Sequence, residues 1–189
     1  MISWKLPEPE QSNDVEKNEQ VMEQRTELAD KSLITAVKIV SEIRRANQFK
    51  IYYRQSKIAQ CFEGLTRPYL TFGLHMGWII EGAIGSDQKI DASYLSPNLH
   101  IVNRVQELTK DYNMQILLTE SLYSLMSLKA RNTLRKIDVI TMNTFKNQSL
   151  LQQREPLGIY TFDMSYQNLE TKENHIPEDH EVGGLIKLE

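Results

Sequence analysis

The chain has 189 residues, enough for one domain of ordinary size, with 40% apolar and 25% charged residues. A formal net charge of -3 argues against a nucleic-acid partner, which needs a clustered basic surface. The single cysteine, Cys61, excludes an intrachain disulfide framework and a cysteine-rich zinc site. The basic stretch Arg44, Arg45, Lys50, Arg54 and Lys57 reads as a solvated helix face and loop. No apolar run approaches the ~20 residues of a membrane-spanning helix, and the N-terminus lacks the basic-then-apolar order of a secretion signal. A soluble, cytoplasmic segment without membrane contact is expected, whatever anchors a longer parent protein.

The start of the chain (residues 1–13) places Ile2, Trp4 and Leu6 before Pro7 and Pro9, as the end of a strand followed by a linker would. Residues 14–46 predict one long helix, uninterrupted by Gly or Pro, with Leu28, Ala29, Leu33, Ala36, Val37, Val40 and Ile43 at spacings of three and four. Its more charged first half is expected to face solvent. A polar connection runs to Pro68. Residues 69–84, rich in aromatic and aliphatic side chains, predict two strands with Gly77 at a tight turn between them, and close backbone approach or bulges at Gly73 and Gly82.

After Ser96-Pro97, residues 98–112 predict a helix with Leu99, Val102, Val105 and Leu108 on one side. Pro97 suits its first turn, where a fixed φ helps and no N–H is needed. A strand over 114–118 leads to Thr119 as N-cap of a helix over 120–128. Further strands are expected over 135–142 and 156–162. Residues 164–189 are predominantly acidic and predict a flexible tail. There, His175, Glu178, Asp179 and His180 read as solvated charges and not as a metal cluster. Strands interleaved with helices but joined partly by a hairpin indicate an α+β class with an antiparallel or mixed sheet.

Several short stretches, in order, resemble one family. Gly73-Leu74-His75-Met76-Gly77 followed by Gly82-Ala83-Ile84-Gly85 resembles the glycine-and-histidine hairpin of class III adenylate and guanylate cyclases. Ile90 to Asn98 is similar to a protist branch of that family. Leu99-His100-Ile101-Val102-Asn103-Arg104 sits where the family has V-N-x-A-x-R, and Ile116 to Glu120 resembles its strand-to-helix junction. Arg135-Lys136-Ile137-Asp138 and Pro156 to Tyr160 resemble its last two strands.

The resemblance implies a ferredoxin-like cyclase fold over residues 14–163, with the motifs in 69–163. It implies a head-to-tail pair, as homodimer or heterodimer, with ATP or GTP at the interface. Two aspartates there hold Mg or Mn, and these metals activate the ribose 3′-hydroxyl and clamp the triphosphate. This chain shows no such aspartate motif. Asp14 and Asp30 fall in or near the long helix, and Ile2 to Pro7 resembles the branch just after the second metal aspartate. The domain therefore reads as N-terminally truncated, with the metal ligands expected from elsewhere.

Arg104 matches the family's transition-state arginine, whose guanidinium offers several donors and stays charged. His100 stands where the family has a ribose-binding asparagine. The purine-selecting position is Ser93 counted back from His100, or Asp91 counted forward from Gly85. Asn143-Thr144 replaces the family's phosphate-binding K-G, leaving Lys146 as a weak phosphate candidate, better read as a solvated charge. His75 reads as the holder of a structural hydrogen bond. The leading expectation is a nucleotide cyclase-family domain of cyclic-nucleotide signalling, inactive alone. The alternative is a non-catalytic pseudo-cyclase that pairs with a complete cyclase domain or scaffolds signalling.

Overall fold

The computed structural model describes residues 2–8, 15–46, 69–86, 89–141 and 156–164. The expectations for the polar connection before Pro68, for Asn143, Thr144 and Lys146, and for the tail beyond Met164 lie outside the described residues. The chain divides into two compact units, Met1–Thr35 with Thr71–Phe162, and Ala36–Leu70 with Asp163–Glu189.

Helix α1 spans Val15–Arg45. Its apolar spacing behaves as the sequence predicts: Ala29, Leu33, Ala36 and Val40 are buried, while Val15 and Met22 in the first half are exposed. Two buried serines of the helix satisfy their own hydroxyls, Ser32 by donating to the Ala29 carbonyl and Ser41 to that of Val37. Residues 2–8 form no strand, and Ile2 and Trp4 are exposed.

The first unit is built on a mixed four-stranded sheet. Its strands are β1 (Phe72–Leu74), β4 (Ile116–Thr119), β5 (Leu134–Thr141) and β6 (Pro156–Phe162), in the order β1-β4-β6-β5. β1 runs parallel to β4, with Phe72 beside Ile116 and Leu74 beside Leu118; the other pairs are antiparallel. A parallel pair needs a long crossover. Here the crossover holds a separate antiparallel ribbon, β2 (Ile80–Ser86) with β3 (Lys89–Leu95), and then helix α2 (Pro97–Asp111).

This arrangement corrects the expected hairpin across Gly77. Among the described residues β1 pairs only with β4, and residues 75–79 form a connector without strand pairing. β2 pairs instead with β3, from Ile80↔Leu95 to Ser86↔Lys89. An added Cβ at Gly82 would meet nothing within 4 Å, so no close approach explains that glycine.

β4 is buried along its whole length, and the core gathers Val105 and Leu108 of α2 against Leu117 and Ile159. Ile101, Tyr112, Ile137, Ile140 and Leu157 pack around that group. Beyond β4, helix α3 (Glu120–Leu125) is shorter than the sequence predicts. Met126 turns extended and is 1% exposed, and Ser127 starts a new turn, α4 (Leu128–Arg131), by accepting from the Ala130 N–H. The Asp30 carboxylate accepts from the Ser127 N–H at 3.1 Å.

Leu117→Ala should lower stability by about 2–5 kcal/mol, because it leaves a cavity in the centre of the sheet. Leu128→Ala, at a side chain 72% exposed, should change stability by no more than about 0.5 kcal/mol. Urea denaturation of the two variants checks this; equal losses would place the core elsewhere.

Candidate functional site

The candidate residues converge on α2 and the strand that feeds it. Ser96 is the N-cap: its hydroxyl accepts from the Asn98 N–H at 3.0 Å, and Pro97 occupies the first helical position. The hydroxyl proton is donated to the Trp78 carbonyl at 2.6 Å. Asn98 donates its carboxamide N–H groups to the same carbonyl at 2.8 Å and to Ser96 Oγ at 3.1 Å. The helix start is thereby tied to the connector after β1.

The connector is tied back through His75, half-buried just beyond β1 rather than within a strand. Its Nε2 lies 3.0 Å from Asn98 Oδ1, while its Nδ1 lies 2.9 Å from Thr119 Oγ1 and 3.2 Å from Ser121 Oγ. Because the Asn98 nitrogen is spent on two acceptors, its oxygen is the acceptor for His75. The network therefore assigns the proton of the neutral ring to Nε2, with Nδ1 receiving a hydroxyl. Burial holds the His75 pKa below the ordinary imidazole value, partly offset by the bond to Asn98.

The structural hydrogen bond expected of His75 is present, and it changes the role of Thr119. That residue sits at the N-cap position of α3 without a capping bond; its hydroxyl is engaged with His75 and with Ser121 at 2.9 Å.

Two glycines let this segment approach α2. An added Cβ at Gly73 would stand 2.7 Å from the Gln106 backbone nitrogen and 2.8 Å from the Val102 carbonyl oxygen; one at Gly77 would overlap the Asn98 carboxamide. At its far end, α2 is tied to β5 by Tyr112, whose hydroxyl donates to the Asp138 carboxylate. That bond, with the Val139 N–H, holds Asp138 below the usual aspartate pKa, and it raises the pKa of Tyr112.

On the helix so held, His100 and Arg104 are four residues apart and so share a face. His100 is exposed. Arg104 is 52% exposed and pairs at 3.1 Å with Glu107, one turn along the same helix. Ser93, half-buried, is the register partner of Gly82 on the β2–β3 ribbon, and Asp91 that of Ile84. Among the described residues, no hydrogen bond or ion pair joins Ser93 to His100 or Arg104. The structure thus puts two candidates on one helix face and two on the strand that precedes it. Among the described residues, no group of three or more His, Cys, Asp or Glu side chains could hold a metal ion. Nor is any helix among them long and apolar enough to cross a membrane.

No protein-family model matches the chain. A stretch of 75 residues is 33% identical to an adenylate cyclase of Anabaena cylindrica, covering 40% of this chain and 15% of that protein. The chain thus spans a small fraction of the curated relative it matches. Two solved structures of a bacterial light-regulated adenylyl cyclase align at 22% and 21% identity over 48% and 50% of this chain. They are matched over 23% and 24% of their own length, each with a TM-score of 0.36, too low to argue from.

Gly77→Ala should cost about 1–3 kcal/mol, because the new methyl displaces the Asn98 carboxamide from its three bonds. Gly82→Ala, with open space around it, should stay within about 0.5 kcal/mol of the parent. Urea midpoints with unchanged slopes would decide this; a neutral Gly77→Ala would contradict the described contact between connector and helix.

Proposed function

We propose that this chain supplies the nucleotide-facing part of a class III cyclase-type site, in which ATP or GTP becomes a 3′,5′-cyclic nucleotide and pyrophosphate. The observation that carries the reading is the placement of His100 and Arg104 on one exposed face of a helix held at both ends. The 33% identity to part of an adenylate cyclase adds support. The ferredoxin-like description of the sheet, the protist-type affiliation and the pairing with a second cyclase domain belong to this proposal.

In this reading Arg104 exchanges Glu107 for the α-phosphate and stabilises charge as the phosphorus becomes five-coordinate. The exchange is cheap, because an exposed ion pair contributes at most about 1 kcal/mol. His100 donates a hydrogen bond to the ribose, in place of the family's asparagine. Ser93 or Asp91 selects the purine, and Lys146 is the remaining candidate for a phosphate contact. The described residues do not fit a two-metal site, so no step here runs through a metal held by this chain. The Mg or Mn ligands are assigned to the other half of a paired site.

A second reading, a pseudo-cyclase that binds a complete cyclase domain without contributing chemistry, is favoured by His100 in the asparagine position and by Asn143-Thr144 in place of K-G.

The test is cyclic nucleotide formation from ATP and GTP with manganese, by the purified chain alone and mixed with a complete cyclase domain. Activity is expected only in the mixture, and Arg104→Ala should reduce it by about 10²–10³-fold. Metal-dependent product from the chain alone would overturn the need for a partner. Binding to the partner without any gain in activity would favour the pseudo-cyclase.

A further inference from the structure

The proposed chemistry makes no use of His75, yet that residue joins more of the structure around α2 than any group assigned to the reaction. Its two ring nitrogens connect the end of β1, the first turn of α2 and the β4–α3 junction, through Asn98, Thr119 and Ser121. Asn98 lies two residues before His100 and six before Arg104, on the same rigid helix. Whatever fixes the rotation of the first turn therefore fixes where those two side chains point. Gly73 and Gly77, each two positions from His75, allow this segment to lie close to α2, where the ring reaches Asn98.

We propose that His75 is a positioning residue for the nucleotide-facing side of α2: one donated and one accepted hydrogen bond on a half-buried ring set the orientation in which His100 and Arg104 meet substrate. This rests on the cyclase-type reading for its consequence, though not for its geometry.

Among the described residues, the hydrogen-bond partners of the ring are uncharged, and no charged group contributes to its pKa shift. Along its own segment lie Leu74, Met76 and Trp78; from α2 come Ser96 and Asn98; from the β4–α3 junction come Thr119 and Ser121. Glu120, at that junction, has its carboxylate at the Gly158 N–H, 3.2 Å away, and His100 and Arg104 are exposed farther along α2. The neutral ring is the form that burial favours. With the folded pKa below the unfolded value, the His75 contribution to stability is present above about pH 6.5. It is lost as pH falls through the folded pKa.

Glutamine can copy the one donor and one acceptor without titrating, and phenylalanine copies the ring without either. His75→Gln, His75→Phe and, from the partner side, Asn98→Ala are compared in the full chain mixed with a complete cyclase domain. Two quantities are read: kcat and KM, and amide hydrogen exchange over residues 98–104.

His75→Phe and Asn98→Ala are expected to lower kcat by on the order of 10–100-fold with little change in KM, and to speed exchange in that turn. His75→Gln should restore both and remove the loss of exchange protection expected of the parent below about pH 6.5. Unchanged exchange and kcat in His75→Phe would overturn the proposal. So would faster exchange with unchanged kcat, which would leave His75 a structural residue only. If the parent mixture makes no cyclic nucleotide, the functional reading fails separately. Exchange then decides whether His75 positions α2: lost protection restored by glutamine upholds it, and unchanged protection refutes it. Should His75→Phe not fold, Asn98→Ala against His75→Gln decides the same question.

Discussion

The geometry of the candidate site depends on how α2 is held. The helix is fastened at its start by Ser96, Asn98 and His75 and at its end by the Tyr112–Asp138 bond. Between these, Val105 and Leu108 are locked into the core against Leu117 and Ile159. The two ends are not equal. The Tyr112–Asp138 bond lies in solvent, where a hydrogen bond contributes little, whereas the polar network at the start is partly removed from water and rigid in consequence. The orientation of the helix is therefore decided mainly by its first turn.

That constraint explains the spacing of Gly73, His75 and Gly77. Gly73 meets the α2 backbone, Gly77 meets the Asn98 side chain, and the imidazole between them fills the gap with hydrogen bonds. A side chain at either glycine would push the segment off the helix. The stretch from Gly73 to Gly77 is thus proposed to have a mechanical role, while the chemistry is proposed for His100 and Arg104 on the outer face of α2. A helix buried on one side and anchored at its start can present an exposed arginine at a reproducible place without burying its charge. That exposure leaves Arg104 free to change partners.

Much of the fold was legible because burial imposes periodicity. The spacing from Leu28 to Val40 marks α1, and Pro97 marks the start of α2, since its fixed φ suits the first turn. What failed were inferences that need to know which strand lies beside which. Glycine between two apolar runs commonly marks a turn, but β1 pairs with β4, forty-four residues away, and β2 pairs with β3. The sequence of β3 carries no core signature, consistent with the exposure of Ile90 and Leu95. The length of α3 was misjudged because Ser127 caps a new turn where an uninterrupted helix was expected. Of the site, the placement of His100 and Arg104 on one face follows from their spacing. The link from His75 to Asn98 and Thr119 joins residues 23 and 44 positions apart and has no local signal.

The most direct test of the account is nuclear magnetic resonance of the isotopically labelled chain bound to a complete cyclase domain, with and without a non-reactive ATP or GTP analogue. The account predicts that the analogue perturbs the His100 ring and the Arg104 guanidinium signals, along with β3 near Ser93, while the His75 ring keeps its Nε2–H tautomer. An analogue that saturates the complex yet leaves the α2 face unperturbed would contradict the assignment of that helix to nucleotide.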